Sequence, residues 1–191
     1  NTVPLAAETP LTNLIAQFNG NHPTPLAAHH LTGWVLGGGQ TIEQFDNVTN
    51  PKALLDSANI VSGTPAAMLS ASSHSIWVNS AALAAAGINR STPDPPGGVI
   101  VRNNSGQATG LLIDSAVDVV LDLVLAQSTA LDNANYQGLV QGLVQYAQSG
   151  VTSLADARVY AERGHINVWQ RAETEGTLTA RTNLGLWASP F

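Results

Sequence analysis

The chain has no cysteine, so neither a disulfide framework nor a thiolate metal site is open to it. It is also poor in charge. Only 10% of its 191 residues are Asp, Glu, Lys or Arg, against roughly a quarter in ordinary globular domains. The seven basic residues (Lys52, Arg90, Arg102, Arg158, Arg163, Arg171 and Arg181) are scattered, and the formal net charge is −6. Phosphate neutralisation needs clustered cations, so nucleic acid is excluded as a partner. No apolar run approaches the ~18 residues of a membrane span, which excludes a membrane partner of that kind. A charged n-region followed by an apolar core is missing too, so this piece carries no signal peptide. Its composition fits a cytoplasmic or an exported protein.

What replaces the missing charge is Ala, Ser, Thr, Asn, Gln and Gly, which make a polar but weakly ionised surface. The length suits one sizeable core. A short helix is expected from Pro10 to Phe18 with Thr9 as its cap, then a strand at Trp34-Val35-Leu36. Asn50-Pro51 opens a helix through Ala58. Pro65 to Val78 reads as one extended segment, with Met68, Ser70, Ser72 and His74 on one face. Asn79 or Ser80 caps a helix over Ala81–Ala86, and Gly87 stops it. Val99–Arg102 and Ala108–Ile113 flank Asn103-Asn-Ser-Gly106, a hairpin pattern.

Two helices follow. Val117, Val120, Leu121 and Val124 form the apolar side of the first, with Asp114, Asp118 and Asp122 opposite. Tyr136, Leu139, Val140, Leu143, Val144 and Ala147 line the second, which ends at Gly150. A strand at Val151–Ala155, a helix at Asn167–Glu175 and a strand at Arg181–Trp187 complete a helix–strand–helix–strand rhythm, the unit of a parallel α/β barrel or open sheet. The two strands are therefore expected to run parallel. Residues 59–113, with their hairpin, interrupt this rhythm and read as an insert within one incomplete domain spanning 1–191.

Few residues offer chemistry. His22, His29-His30 and His165 have no ligand spacing and read as surface or structural. Gly37-Gly38-Gly39 lacks any phosphate-binding pattern and marks close backbone approach in a loop. Ser72, Ser73 and Ser75 lie in no Gly-x-Ser-x-Gly elbow, which argues against a serine hydrolase. Asp156 and Arg158 follow the strand Val151–Ala155, where residues of a parallel barrel face the active site; an N-cap is the competing role for Asp156.

The run Ser72-Ser-His-Ser-Ile-Trp-Val-Asn79, the Pro95-Pro-Gly-Gly98 turn and Thr109-Gly-Leu-Leu112 occur in order. Gly33-Trp-Val-Leu-Gly-Gly-Gly39 precedes them and Gly150-Val-Thr-Ser153 follows. Together they resemble amidohydrolase family 3, the metal-dependent hydrolases that include N-substituted formamide deformylases and exoenzyme regulatory proteins. The resemblance covers roughly residues 30–157. It implies an α/β fold, a partial (β/α)₈ barrel segment carrying an inserted, mainly antiparallel β unit. It also implies hydrolysis of a non-peptide C–N (amide-type) bond in a small molecule by metal-activated water.

The resemblance makes His74 the catalytic candidate, with Trp77, Asn79 and Asp156 as substrate contacts. Ser72-Ser73 stands where family members often carry Asp or Gly before this His. Asp114 stands near a common family Glu and is implied as a metal contact, the competing role being a helix N-terminal acid. A divalent metal, zinc first, is implied for the parent protein. Its histidine ligands are absent from these residues, so this chain is expected to be an internal piece, inactive and metal-free alone. The alternative is a non-catalytic regulatory or binding protein on the same scaffold. A homo-oligomer is compatible with either.

Overall fold

Alternation of small and apolar side chains builds the central layer of the first of two compact units, residues 1–124 and 125–191, each described by itself. The computed structural model describes residues 2–4 and 10–187. In the first unit six strands form one sheet in the order β1-β2-β3-β4-β6-β5. These are β1 (Thr2–Pro4), β2 (Val35–Gly38), β3 (Ala66–Leu69), β4 (Ser75–Val78), β5 (Gly98–Arg102) and β6 (Ala108–Asp114). The first three run parallel; β3, β4, β6 and β5 pair antiparallel in that succession. The hairpin expected between Val99 and Ile113 is present, closed by the Asn103 carboxamide accepting from the Ser105 and Gln107 N–H groups. It extends the same sheet as β1 and β2.

The period-2 pattern decides what each face buries. Val35, Ala66, Met68, Trp77 and Leu111 share a core with Leu11, Leu14, Ile15 and Phe18 of α1 (Leu11–Asn21) and Leu55 of α2 (Pro51–Asp56). Their neighbours Ala67, Ile76, Val78 and Leu112 are also buried, so both faces of the central strands are covered. α3 (Ser80–Ala85) starts where expected, with the Asn79 side chain accepting from the Ala82 N–H. α4 (Ser115–Val124) lies against β5 and β6 through its buried Ala116, Val117 and Val120 side.

Three expectations need correction. Helix α1 runs through Gly20 to Asn21, past Phe18, with Pro10 preceding its first residue; the expected cap Thr9 lies outside the described residues. Pro65–Val78 is two strands with a turn at Ser70–His74. Ser73 adopts φ +62°, so a non-glycine residue makes the reversal that Gly, Asn or Pro would have advertised. Gly38 makes the expected close approach within a strand, since a Cβ there would lie 2.2 Å from the Leu69 carbonyl oxygen.

The second unit holds α5 (Thr129–Gln148), β7 (Ser153–Val159), α6 (His165–Thr174) and β8 (Arg181–Leu186). β7 and β8 pair in parallel across α6, as the periodicity predicts. Tyr136 of α5 packs on Val168 and Ala172 of α6, with Leu139 and Val140 beside them. The apolar stripe of α5 is only partly used, because Val144 stays 47% exposed. A helix of ten residues spans about 15 Å and covers half of one of twenty. The Tyr136 hydroxyl donates to Glu175 at 2.6 Å, and Arg171 donates to the same carboxylate at 2.8 Å.

Those two bonds, the phenol first and the guanidinium second, hold the Glu175 carboxyl below its ordinary value of 4.5. A depressed acid stabilises the fold above its unfolded value and loses that contribution as pH falls through the folded one. Glu175→Gln is accordingly expected to lower the thermal midpoint at pH 7 and to leave it less sensitive to acid below about pH 4.5, read by melts across pH. At Gly110 (φ +94°) a Cβ would sit 2.4 Å from the Val78 oxygen and 2.7 Å from the Lys52 Cβ. Gly110→Ala should cost about 2 kcal/mol or more in denaturant melts, since strain and overlap add.

Candidate functional site

The parallel strands β2 and β3 end at Gly38 and Leu69, on the same rim of the sheet where β6 ends at Asp114 and β4 begins at Ser75. Ligands of α/β sheets sit outside the carboxyl ends of parallel strands. His74 and Asp114 meet on that rim. His74 Nδ1 lies 3.0 Å from Asp114 Oδ1, and the Asp114 N–H donates to the His74 carbonyl at 2.8 Å. The acidic partner comes from forty residues along the chain, where the residues just before His74 are Ser72 and Ser73.

A hydroxyl network holds the turn that carries the imidazole. The buried Ser70 Oγ accepts the Ser75 N–H at 3.0 Å and lies 3.2 Å from Ser72 Oγ, which accepts the His74 N–H at 3.4 Å. The Gln40 carbonyl, just past β2, accepts the Ala71 N–H at 2.9 Å.

Magnitudes bear on what this pair is for. Its side chains are 78% and 53% exposed, and an ion pair so open to water is worth about 0–1 kcal/mol at most. Asp114 holds φ +50° to make it, a conformation costing about 1 kcal/mol or more even for Asp. Stability alone therefore does not account for the arrangement. A carboxylate on Nδ1 fixes the imidazole tautomer and leaves Nε2 to act on a third group.

The other candidates lie elsewhere. Trp77 is fully buried; its indole N–H donates to the Pro51 carbonyl at 2.8 Å and its ring meets Phe45 edge-on. Asn79 is 6% exposed. Its carboxamide oxygen accepts from Ala66 and Ala82 and its NH₂ donates to Thr64, so it ties β3, β4 and α3 together. These two side chains are framework, and they present no open surface to a ligand. Asp156 falls inside β7, opposite Leu184, because parallel pairing with β8 carries the strand on to Val159. Its Oδ1 accepts the Arg158 N–H at 3.1 Å. His165 opens α6, its Nδ1 accepting the Tyr160 N–H, the structural role expected of it. Among the described residues no three His, Asp or Glu side chains gather into a group that could hold a metal ion.

The pairing of His74 with Asp114 is a feature that motif spacing could not supply. Only the β4–β6 register, Ser75 against Ile113, makes it visible. It yields a direct expectation. In ¹⁵N spectra the deprotonated Nε2 signature of His74 should dominate in the neutral ring and give way to mixed tautomers in Asp114→Ala. Unchanged tautomers in that variant would contradict the pairing.

A family model described as amidohydrolase family matches residues 7–189. YtcJ of Bacillus subtilis (strain 168), which carries an amidohydrolase name, is 44% identical over 93 residues, 48% of this chain and 17% of that protein. The N-substituted formamide deformylase of Arthrobacter pascens is 30% identical over 120 residues, 62% of this chain and 22% of that enzyme. The chain thus spans about a fifth of the length of these relatives. Its fold resembles the crystal structure of an uncharacterized metal-dependent hydrolase from Pyrococcus horikoshii. The TM-score is 0.59 at 14% identity, over 96% of this chain and 32% of that one.

Proposed function

Because the chain belongs to the amidohydrolase family, we propose that it is a segment of a hydrolase cleaving a non-peptide, amide-type C–N bond in a small molecule. The exposed His74–Asp114 pair on the strand-end rim is the observation that carries this reading. In the same reading the α/β units are part of a (β/α)₈ barrel, with residues 59–113 as an insert in one domain of a longer protein. The family implies a divalent metal, zinc first. The described residues do not fit one: no sufficient ligand group is present, and Asp114 is engaged with His74. A metal in the complete protein would draw its ligands from elsewhere.

His74 is the group that meets the substrate. Asp114 orients its ring, and the Nε2–H of a protonated ring can donate to an amide oxygen as negative charge develops there. Hydrogen bonds aimed at such an oxyanion are worth about 10²–10³ in rate. Asp114 acts through His74 and is a positioning residue. Trp77 and Asn79 contribute by holding β4, and therefore the turn that bears His74, in place.

In the full-length protein His74→Asn should lower kcat/KM by about 10²–10³ while leaving the thermal midpoint unchanged, since the ring is exposed. A lowered midpoint with intact kcat/KM would assign His74 a purely structural role and end this reading.

A further inference from the structure

Arg158 is held in a way that Arg102, Arg171 and Arg181 are not. Arg102 spends its guanidinium on the carbonyls of Asn89, Arg90, Thr92 and Gly106, and Arg171 is engaged by Glu175 and Asn133. Arg181 donates to Ser153. Arg158 instead donates its Nε–H to the Tyr160 hydroxyl at 2.6 Å, and its guanidinium carbon lies 5.5 Å from the centre of the Trp187 ring. No described carboxylate pairs with it, and its two Nη groups have no partner among the described residues. The result is a guanidinium fork aimed by two aromatic rings, with its hydrogen-bonding edge unspent.

Its place in the fold matters as much. Tyr160 and Trp187 are the residues just past the carboxyl ends of the parallel strands β7 and β8, and the Trp187 N–H donates to the Val159 carbonyl at 2.8 Å. That is the end of a parallel sheet where ligands bind. The Tyr160 ring also carries a second cation, Arg163, at 4.1 Å, and Trp187 is 48% exposed with its ring 5.8 Å from that of Tyr160. Burial, and after it the Arg163 charge, keep the neighbouring His165 imidazole below its ordinary value, against an opposing pull from Asp156. Two guanidinium groups, Arg158 and Arg163, thus lie over the Tyr160 ring.

The geometry points to a carboxylate-binding subsite at the ends of β7 and β8, in which Arg158 grips the anion and Trp187 receives a flat apolar group attached to it. The ligand class is a small organic carboxylate with an aromatic or planar body. A bidentate guanidinium–carboxylate pair supplies direction, and the indole face supplies contact area. Tyr160 is the positioning residue, because its hydroxyl sets the rotamer of Arg158 before any ligand arrives. The proposal uses the second unit alone and stands independently of the role given to His74.

The test is titration of the whole 191-residue chain with benzoate and, separately, with its neutral counterpart benzamide, followed by calorimetry and tryptophan fluorescence. Benzoate should bind saturably and at least about tenfold more tightly than benzamide. Arg158→Gln should remove that preference, and Arg158→Lys should restore it only in part, because a point charge lacks the fork. Arg90→Gln, a cation of the other unit, should change nothing. Equal binding of the two probes, absence of saturable benzoate binding, or full benzoate affinity in Arg158→Gln would each overturn the proposal. Should Arg158→Gln fail to fold, NMR of the unaltered chain decides. Benzoate must shift the Trp187 indole and Arg158 Nε–H resonances, and shifts confined to other residues would count against the site.

Discussion

An indole ring sealed from solvent must give its N–H to an acceptor, and Trp77 gives its own to the Pro51 carbonyl. That bond fixes the start of α2 over the middle of β4. Leu55, one turn further along α2, then reaches the same core as α1 and the strands β2, β3 and β6. Phe45 closes the ring's edge. Two residues beyond Trp77, the Asn79 carboxamide binds Thr64, Ala66 and Ala82, so the strand's far end is tied before the chain turns into α3. Most of the first unit is arranged around this one strand. Its opposite end, at His74, inherits a fixed position.

A rigid centre lets the rim hold conformations that a softer sheet would relax. Ser73 and Asp114, the two described non-glycine residues with positive φ, flank His74 in space. Each costs on the order of 1 kcal/mol, small beside the burial of a fully enclosed Trp but comparable to anything an exposed ion pair returns. Strain of this kind persists where surrounding structure over-determines it. Here the surrounding structure is the β4–β6 ladder and the hydroxyl network from Ser70 to Ser72. The second unit shows the same economy at another strand end, where Tyr160 and Trp187 hold Arg158.

Much of the fold was legible because local rules were strong. Asn79 as a cap, Gly87 as a stop, the Asn103–Gly106 hairpin loop and the parallel pair β7–β8 each follow from turn chemistry or periodicity. The errors have equally local causes. The reversal at Ser70–His74 carries no glycine or proline, and β7 runs on through Asp156 because its partner β8 continues to pair with it. Trp77 and Asn79 were marked for substrate on motif resemblance. In the structure one fills the core and the other satisfies three backbone groups.

The sequence by itself determined which segments are helix and strand, the apolar faces, the absence of thiolate chemistry and the family, because each depends on residue type and short-range spacing. Tertiary structure decided the rest. His74 and Asp114 are forty residues apart, and Arg158 and Trp187 are twenty-nine apart. Each pair meets only through strand register, antiparallel in one case and parallel in the other. Register is set by the sum of many buried contacts across a sheet, and no local pattern encodes that sum.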